Sequence, residues 1–235
     1  MNLKSIEFEV NSNIKTIGKS VFSDCSIEKI LIPSNIEKIE ESTFSHCKKL
    51  KSVDFENDSQ ITSIGKQSFY FCENLQTVKF PLNSKLNSIL QSAFYQTAIQ
   101  EISIPQNVTV IGEDSFAHCP KIKCVNFLGE SKLKLIENNA FSFSSLQYIS
   151  IPPNVSMLSI SYCSFLKSIE FLGEKLIFGD RCFCNCIKFS IFSLPNAHSV
   201  VLKMDTFQNV SSSFTLFICA NANLTFIARR SKRLK

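Results

Sequence analysis

Apolar and polar positions along this chain recur in blocks. The segment Leu-Lys-Ser-Ile-Glu-Phe beginning at Leu3 returns as Ile27-Glu-Lys-Ile-Leu-Ile, Leu50-Lys-Ser-Val-Asp-Phe, Leu75-Gln-Thr-Val-Lys-Phe and Ile99-Gln-Glu-Ile-Ser-Ile. Further copies start at Ile122, Leu146, Leu166 and Phe189, with a remnant at Phe214; the starts are 23 to 25 residues apart except for one step of 20 after Leu146. A fixed period of this size describes a solenoid, because one copy cannot bury its apolar side alone and stacked copies close a continuous core. Within each block the fourth and sixth positions are apolar and their neighbours polar, which predicts a short parallel strand. Pro33, Pro81, Pro105, Pro152 and Pro195 mark the strand ends, since proline lacks the donor a sheet ladder needs.

A second signature follows each strand: an apolar residue, Phe five positions later and Cys three after that. It reads Ile17, Phe22, Cys25; Ile39, Phe44, Cys47; Ile64, Phe69, Cys72; Ile111, Phe116, Cys119; and Phe178, Phe183, Cys186. Thr97, Ser144 and Val210 take the Cys place after Phe94, Phe141 and Phe207, so small side chains fill a tight interior slot. This segment is expected to be a compact return turn, helical or irregular. The return from strand start to the next apolar row is nine residues from Ile27, Ile99 and Leu146 but eleven from Leu3, Leu50, Leu75 and Ile122, which places the extra residues in a surface loop. Asn13, Asn35, Asn107 and Asn154 before that row fit a turn position with a left-handed backbone. Gly18, Gly65 and Gly112 share their place with Glu40, Leu90 and Glu137, so that place has no strict need for positive φ.

The outward strand positions align into two rows. One is Ser5, Lys29, Ser52, Thr77, Glu101, Cys124, Tyr148 and Ser168; the other is Glu7, Leu31, Asp54, Lys79, Ser103, Asn126, Ser150 and Glu170. Such rows form the stiff surface through which solenoids bind, but these are mixed in charge and poor in the aromatic and Arg residues that dominate hot spots. No ligand-binding residue is singled out by the sequence.

Composition agrees with this organisation: Phe occurs 22 times, Cys 10 times and Trp not at all, as repeated slots would give. The net charge of +5 equals the contribution of Arg229, Arg230, Lys232, Arg233 and Lys235, so the body is neutral and offers no extended basic face for nucleic acid. That basic tail reads as a solvated terminus. The apolar run Phe214–Ala228 is 15 residues long and holds Asn221 and Asn223, short of the roughly 20 that a membrane span needs. Met1 is followed by Asn-Leu-Lys-Ser-Ile-Glu, without the apolar core of a signal peptide, so secretion by the usual route is not expected from the sequence as read.

Candidate chemistry is sparse. His46 and His118 both precede a slot Cys, three copies apart and hence roughly 14 Å, too far for one ligand sphere. Cys25, Cys47 and Cys72 lie in consecutive copies but read as buried free thiols filling a packing slot. Alternation along Cys182-Phe-Cys-Asn-Cys186 would turn some thiols outward, where they could bind metal or oxidise. Acidic residues such as Glu7, Asp54 and Glu170 are expected far apart. Asn57, Asn107, Asn154, Asn209 and Asn223 begin Asn-x-Ser/Thr sequons. No phosphate loop, zinc-binding His-Glu-x-x-His or nucleophile elbow is present. The expectation is no enzyme, no catalytic or metal-binding residue and no cofactor.

With Leu-x-x-Ile-x-Ile-Pro, Asn-Val-x-x-Ile-Gly and Phe-x-x-Cys, clearest from Ile99 to Cys119, the chain resembles the BspA-like branch of leucine-rich repeats over roughly residues 3–210. In the copy from Leu146 the pattern is shortened, with Ile160 standing for Phe before Cys163, and it loses regularity after Phe189. The resemblance implies an α/β-type but mainly β fold: a right-handed leucine-rich repeat solenoid with a parallel β-sheet and short irregular or helical return turns. The expected division is a solenoid of about nine copies of 20–25 residues over 1–210, a degenerate terminal repeat over 211–228 and the basic tail over 229–235. The implied function is non-catalytic protein binding or adhesion at a cell surface, by a monomer with a protein partner and with neither nucleic acid nor a membrane span. The alternatives are a structural spacer or fragment of a larger surface protein, and an intracellular protein-interaction scaffold.

Overall fold

The computed structural model describes residues 3–9, 12–178, 181–203, 205–218 and 222–227. The hexapeptide blocks from Ile27 onward form the strands their alternation predicts, whereas the first block, from Leu3, forms none. The second apolar row, too short to show an alternation in the sequence, forms strands as well, so two series interleave along the chain. The second-row series is β1 (Thr16–Ile17), β3 (Lys38–Ile39), β5 (Ser63–Ile64), β7 (Ser88–Ile89), β9 (Val110–Ile111), β11 (Leu135–Ile136), β13 (Met157–Leu158), β15 (Lys175–Phe178), β17 (Ser199–Lys203) and β19 (Asn223–Ile227). The block series is β2 (Lys29–Ile32), β4 (Ser52–Phe55), β6 (Thr77–Lys79), β8 (Glu101–Ile104), β10 (Cys124–Phe127), β12 (Tyr148–Ile151), β14 (Ser168–Phe171), β16 (Ile191–Leu194) and β18 (Thr215–Ile218). All pairings are parallel and join counterpart strands of successive coils, as Val53 meets Ile30 and Val78.

The odd-numbered strands make one unbroken ten-stranded sheet, whereas the even-numbered strands split into β2-β4-β6, β8-β10 and β12-β14-β16-β18. The splits fall where a nine-residue return carrying proline follows an eleven-residue one; proline by itself does not open the ladder, since Pro81 and Pro195 follow β6 and β16, which still pair with β4 and β14. In coils without proline, the residue after the strand donates its N–H to the previous coil: Glu56 to the Ile32 carbonyl at 3.1 Å, Leu128 to Ile104 at 3.0 Å and Leu172 to Ile151 at 3.0 Å. Pro33, Pro105 and Pro152 occupy that place in the coils with nine-residue returns and cannot donate. Each of these coils follows an eleven-residue one, and at each junction the ladder opens: between residues 3–9 and β2, β6 and β8, and β10 and β12.

The Phe segment is a turn, and none of the described residues is helical. The helical option for the return turn fails because, from Phe22 to Phe183, the residues two before and two after the slot Phe are left-handed, for example Gln67 (φ 53°) and Phe71 (φ 57°) around Phe69. Sixteen described non-glycine residues share this conformation, with φ between 53° and 60°. A left-handed residue costs roughly 1–2 kcal/mol and cannot continue a right-handed helix. The cost is offset by pairing with the next coil, where the Gln67, Phe69 and Phe71 N–H groups donate to the carbonyls of Gln91, Ala93 and Tyr95 at 2.9, 2.8 and 3.0 Å.

The turn asparagines behave differently from the sequence expectation: Asn13, Asn35, Asn107 and Asn154 are not left-handed. Their role is in the side chain. Asn35 donates to the Ser12 carbonyl at 2.7 Å, Asn107 to Ser84 at 2.9 Å and Asn154 to Ser131 at 3.1 Å, each one coil back. Asn107→Ala should therefore lower the unfolding free energy by about 1 kcal/mol, as lost amide hydrogen bonds do. An unchanged urea midpoint would count against this ladder. Gly65 has no positive φ, yet a Cβ there would sit 2.5 Å from the backbone carbon of Glu40, so its requirement is close approach of two coils.

The core is a column of rings. Phe22, Phe44, Phe69, Phe94, Phe116 and Phe141 stack at centroid spacings of 5.2–5.4 Å with interplanar angles of 1–19°. Beside it the slot cysteines do more than fill space. The thiols of Cys47, Cys72, Cys119 and Cys163 donate to the carbonyls of Phe22, Phe44, Phe94 and Phe141 in the preceding coil at 3.0–3.1 Å. A small residue with a weak donor fits this slot, which explains Cys where alanine would satisfy volume alone.

Candidate functional site

From β2 onward the two predicted strand rows lie outward and, within each paired group, in the expected register: Ser52 neighbours Lys29 and Thr77, Asp54 neighbours Leu31 and Lys79, and Tyr148 neighbours Ser168. Their face is interrupted by the two sheet openings at β6/β8 and β10/β12. Small and mixed-charge side chains on a broken sheet do not converge on one feature.

A different face carries a concentrated one. On the turn side, the residues just after the slot Phe form a second, outer ring column running through His46, Phe71, Tyr95, His118, Phe143 and Tyr162, with Tyr70 alongside. Neighbouring centroids are 5.3, 5.7, 5.0, 4.5 and 5.2 Å apart in that order. The left-handed backbone at His46, Phe71, His118, Phe143 and Tyr162 turns these side chains out of the coil, while coil stacking sets their spacing. Exposure rises toward the C-terminal end, with Phe143 51% and Tyr162 40% exposed. Phe143 is stacked on both sides, against His118 and Tyr162 at 22° each. Both faces of the Phe143 ring are thus covered by neighbours, which leaves its edge to solvent. Sequence reasoning missed this column because its members sit one or two places after Phe in different copies; aligning the copies on Phe and reading those two places would have shown it.

The description "BspA type Leucine rich repeat region" matches six copies in this chain, over residues 1–86, 54–168 and 134–230. The chain belongs to the BspA-type leucine-rich repeat family. No curated protein matches it closely enough to count as a relative. Among solved structures it is similar to a leucine rich cell surface protein of Faecalibacterium prausnitzii A2-165, at 16% identity and a TM-score of 0.56, over 93% of this chain and 84% of that one. It is also similar to the Leucine Rich Repeat protein of T. pallidum, at 21% identity and a TM-score of 0.55, over 75% of this chain and 72% of that one. At these identities the likeness is one of fold.

Elsewhere on this BspA-type solenoid the candidate chemistry is mostly buried or dispersed. Cys182, Cys184 and Cys186 are all buried, contrary to the strand-like alternation expected of them, because this segment is a turn. The Cys182 thiol donates to the Leu158 carbonyl at 2.7 Å and Cys186 to Ile160 at 3.2 Å. Burial pushes the Cys47 thiol up to about 12 and that of Cys119 up to about 11. His46 and His118 belong to the same outer column with Phe71 and Tyr95 between them, so they share no ligand sphere. Among the described residues no group of three His, Cys, Asp or Glu side chains is placed to hold a metal ion, and no helix is long and apolar enough to cross a membrane. The basic tail at 229–235 lies outside the described residues.

Away from the strand rows, one group of acidic residues lies close together. Glu113 and Asp114 are consecutive, and the Glu113 N–H donates to the Glu137 carboxylate of the next coil at 2.9 Å. Three carboxylates thus share a ridge beside the outer column. Burial holds Asp114 above the usual carboxylate range, reinforced by Glu113 and opposed by His118 and by a hydrogen bond from Asn139.

Proposed function

We propose that this BspA-type chain is a non-catalytic protein-binding module, acting as a monomer, whose contact surface is the outer ring column centred on His118, Phe143 and Tyr162. The observation that carries the reading is a continuous row of exposed aromatic edges on a scaffold fixed by hydrogen bonds between coils. Tyr and other aromatic side chains supply large contact area at low entropic cost and dominate binding hot spots. Because both faces of the central ring, Phe143, are occupied by its neighbours, that part of the column suits the packed side chains of a protein better than a sugar ring, which stacks on an open aromatic face. The F. prausnitzii protein is described as a cell surface protein, and adhesion at a surface is the setting that likeness favours for this chain.

The test is quantitative recovery of interacting proteins from the native cell by the wild-type chain, by Phe143→Ser/Tyr162→Ser and by Lys29→Ser/Glu101→Ser on the strand face. A partner recovered by wild type should be lost at least tenfold with the column variant and retained with the strand variant. The opposite pattern would move the contact surface to the strand rows.

A further inference from the structure

We infer that the segment bound by this surface is a basic amphipathic helix, lying along the solenoid axis with its apolar side on the outer ring column and its cations against Glu113, Asp114 and Glu137. The inference rests on the column being the contact surface, and it supplies the chemistry of what sits there.

The position of the carboxylates is the first argument. Asp114 lines a shallow recess with Tyr95, His118, Phe143 and Tyr162, while Glu113 and Glu137 line a second recess with Leu135 and Met157. The second recess belongs to an apolar strip on the ten-stranded sheet, where Val110, Leu135, Met157 and Ile177 are successive register neighbours. Met157 and Ile177 are 55% and 56% exposed. The carboxylates therefore form a ridge between two apolar surfaces, and a protein covering either surface withdraws them from water.

Their lack of a cation is the second argument. In the first coils, carboxylates meet lysines one coil away: Lys15 and Glu37 at 3.1 Å, Lys19 and Glu41 at 2.7 Å. The ridge carboxylates have no such ion pair among the described residues. Glu113 accepts from the Gln91 amide at 3.1 Å and Glu137 from a backbone N–H, both neutral donors that leave the negative charge in place. Along the stack the lysine and arginine in line with the ridge are distant, Lys66 two coils before Glu113 and Arg181 three coils after it; Lys134, three residues before Glu137 on the same coil, forms no ion pair with it, and only His118 offsets part of the charge of Asp114. Burying an unpaired carboxylate is costly, so a neutral or acidic partner is penalised and a cationic one is not. This selects the sign of the partner's charge.

Spacing selects its form. The Tyr95, His118, Phe143 and Tyr162 rings repeat every 4.5–5.2 Å. An α-helix repeats a surface position every turn of about 5.4 Å, close to this spacing. An extended strand repeats a face every two residues, about 6.6 Å, and drifts out of step within two coils. A helix thus sets one side chain per turn on each ring.

Three synthetic peptides of about five turns, roughly 18 residues each, test this with the purified full chain: an amphipathic helix with lysines on its polar side, the same peptide with glutamates there, and the lysine peptide with a central proline. The lysine helix is expected to bind at least tenfold more tightly than either of the others, with affinity falling as salt is raised from about 0.05 to 0.5 M. Glu113→Gln/Asp114→Asn/Glu137→Gln should abolish the preference for lysine over glutamate, and the salt series on the wild-type chain gives an answer even if that variant folds poorly. Equal binding of the lysine and glutamate helices, or insensitivity to salt, would overturn the charge assignment. Equal binding of the proline peptide would overturn the helix. If either happens while Phe143→Ser/Tyr162→Ser still loses the native partner, the column remains the contact surface and only the inferred helix is wrong.

Discussion

Phe69→Ala is expected to lower the unfolding free energy by about 3–5 kcal/mol, the range for removing a buried ring. Phe69 is fully buried and stacks on Phe44 at 5.3 Å and Phe94 at 5.2 Å, so its loss leaves a void with a ring on either side. The neighbours cannot close that void cheaply. The Phe69 N–H is tied to the Ala93 carbonyl at 2.8 Å and the Phe44 N–H to the Ser68 carbonyl at 2.8 Å, so the coil separation is held by backbone bonds. In a quasi-one-dimensional stack the damage falls on one coil and its two interfaces, with no distant part of a core to absorb it. Phe69→Leu should lose much less, since it refills most of the volume. Urea unfolding of the three proteins checks this; an alanine variant within 1 kcal/mol of wild type would mean that the inner column does not hold the coils together.

The inner column was legible in the sequence because selection for one volume repeats the same letter: Phe and Cys return at fixed distance from the apolar row copy after copy. The strands of the hexapeptide blocks were legible for a similar reason, since two alternations suffice to define an inward face. The ten-stranded sheet was not, because most of its strands pair only two residues, such as Ser63–Ile64 with Ser88–Ile89, too few to show a period. Nor were the left-handed positions. Ser20, Ser42, Gln67, Ser92 and Asp114 share one conformation but no single residue type, because the hydrogen bonds to the next coil, which involve only backbone atoms, hold it.

The outer column and the carboxylate ridge were hidden for another reason. Tyr95 and His118 occupy different places after their Phe, and Glu113 and Glu137 differ in place after their Ile. They meet only when the coils stack, so the surface is written across copies and not within any one of them. The predicted strand face was the reverse case. Its rows were read correctly, but alignment alone gave no concentration of aromatic residues.

Alkaline pH should unfold the protein abruptly, and this is the largest effect expected. Cys47, Cys72, Cys119, Cys163 and Cys182 all have thiols raised above their ordinary value of 9.0, by burial in four cases and by the hydrogen bond with Cys186 and then burial in Cys163. The sign follows from where the protons reside. Below pH 9 both folded and unfolded chains hold them, so stability is complete. Above pH 9 the unfolded chain releases its thiol protons while the folded chain keeps them, until pH reaches about 11 for Cys119 and about 12 for Cys47. Across that window each retained proton lowers the unfolding free energy by roughly 1.4 kcal/mol per pH unit. Five such thiols together give a slope of about 7 kcal/mol per pH unit, enough to remove the roughly 5–15 kcal/mol stability of an ordinary domain within about two units. The urea midpoint should stay level up to about pH 8 and collapse between about 9 and 11. Cys119→Ser should reduce the slope by about one thiol's share, roughly 1.4 kcal/mol per pH unit. A midpoint unchanged between pH 9 and 10.5 would show that these thiols titrate alike in both states, and hence that the cysteine slot is open to water.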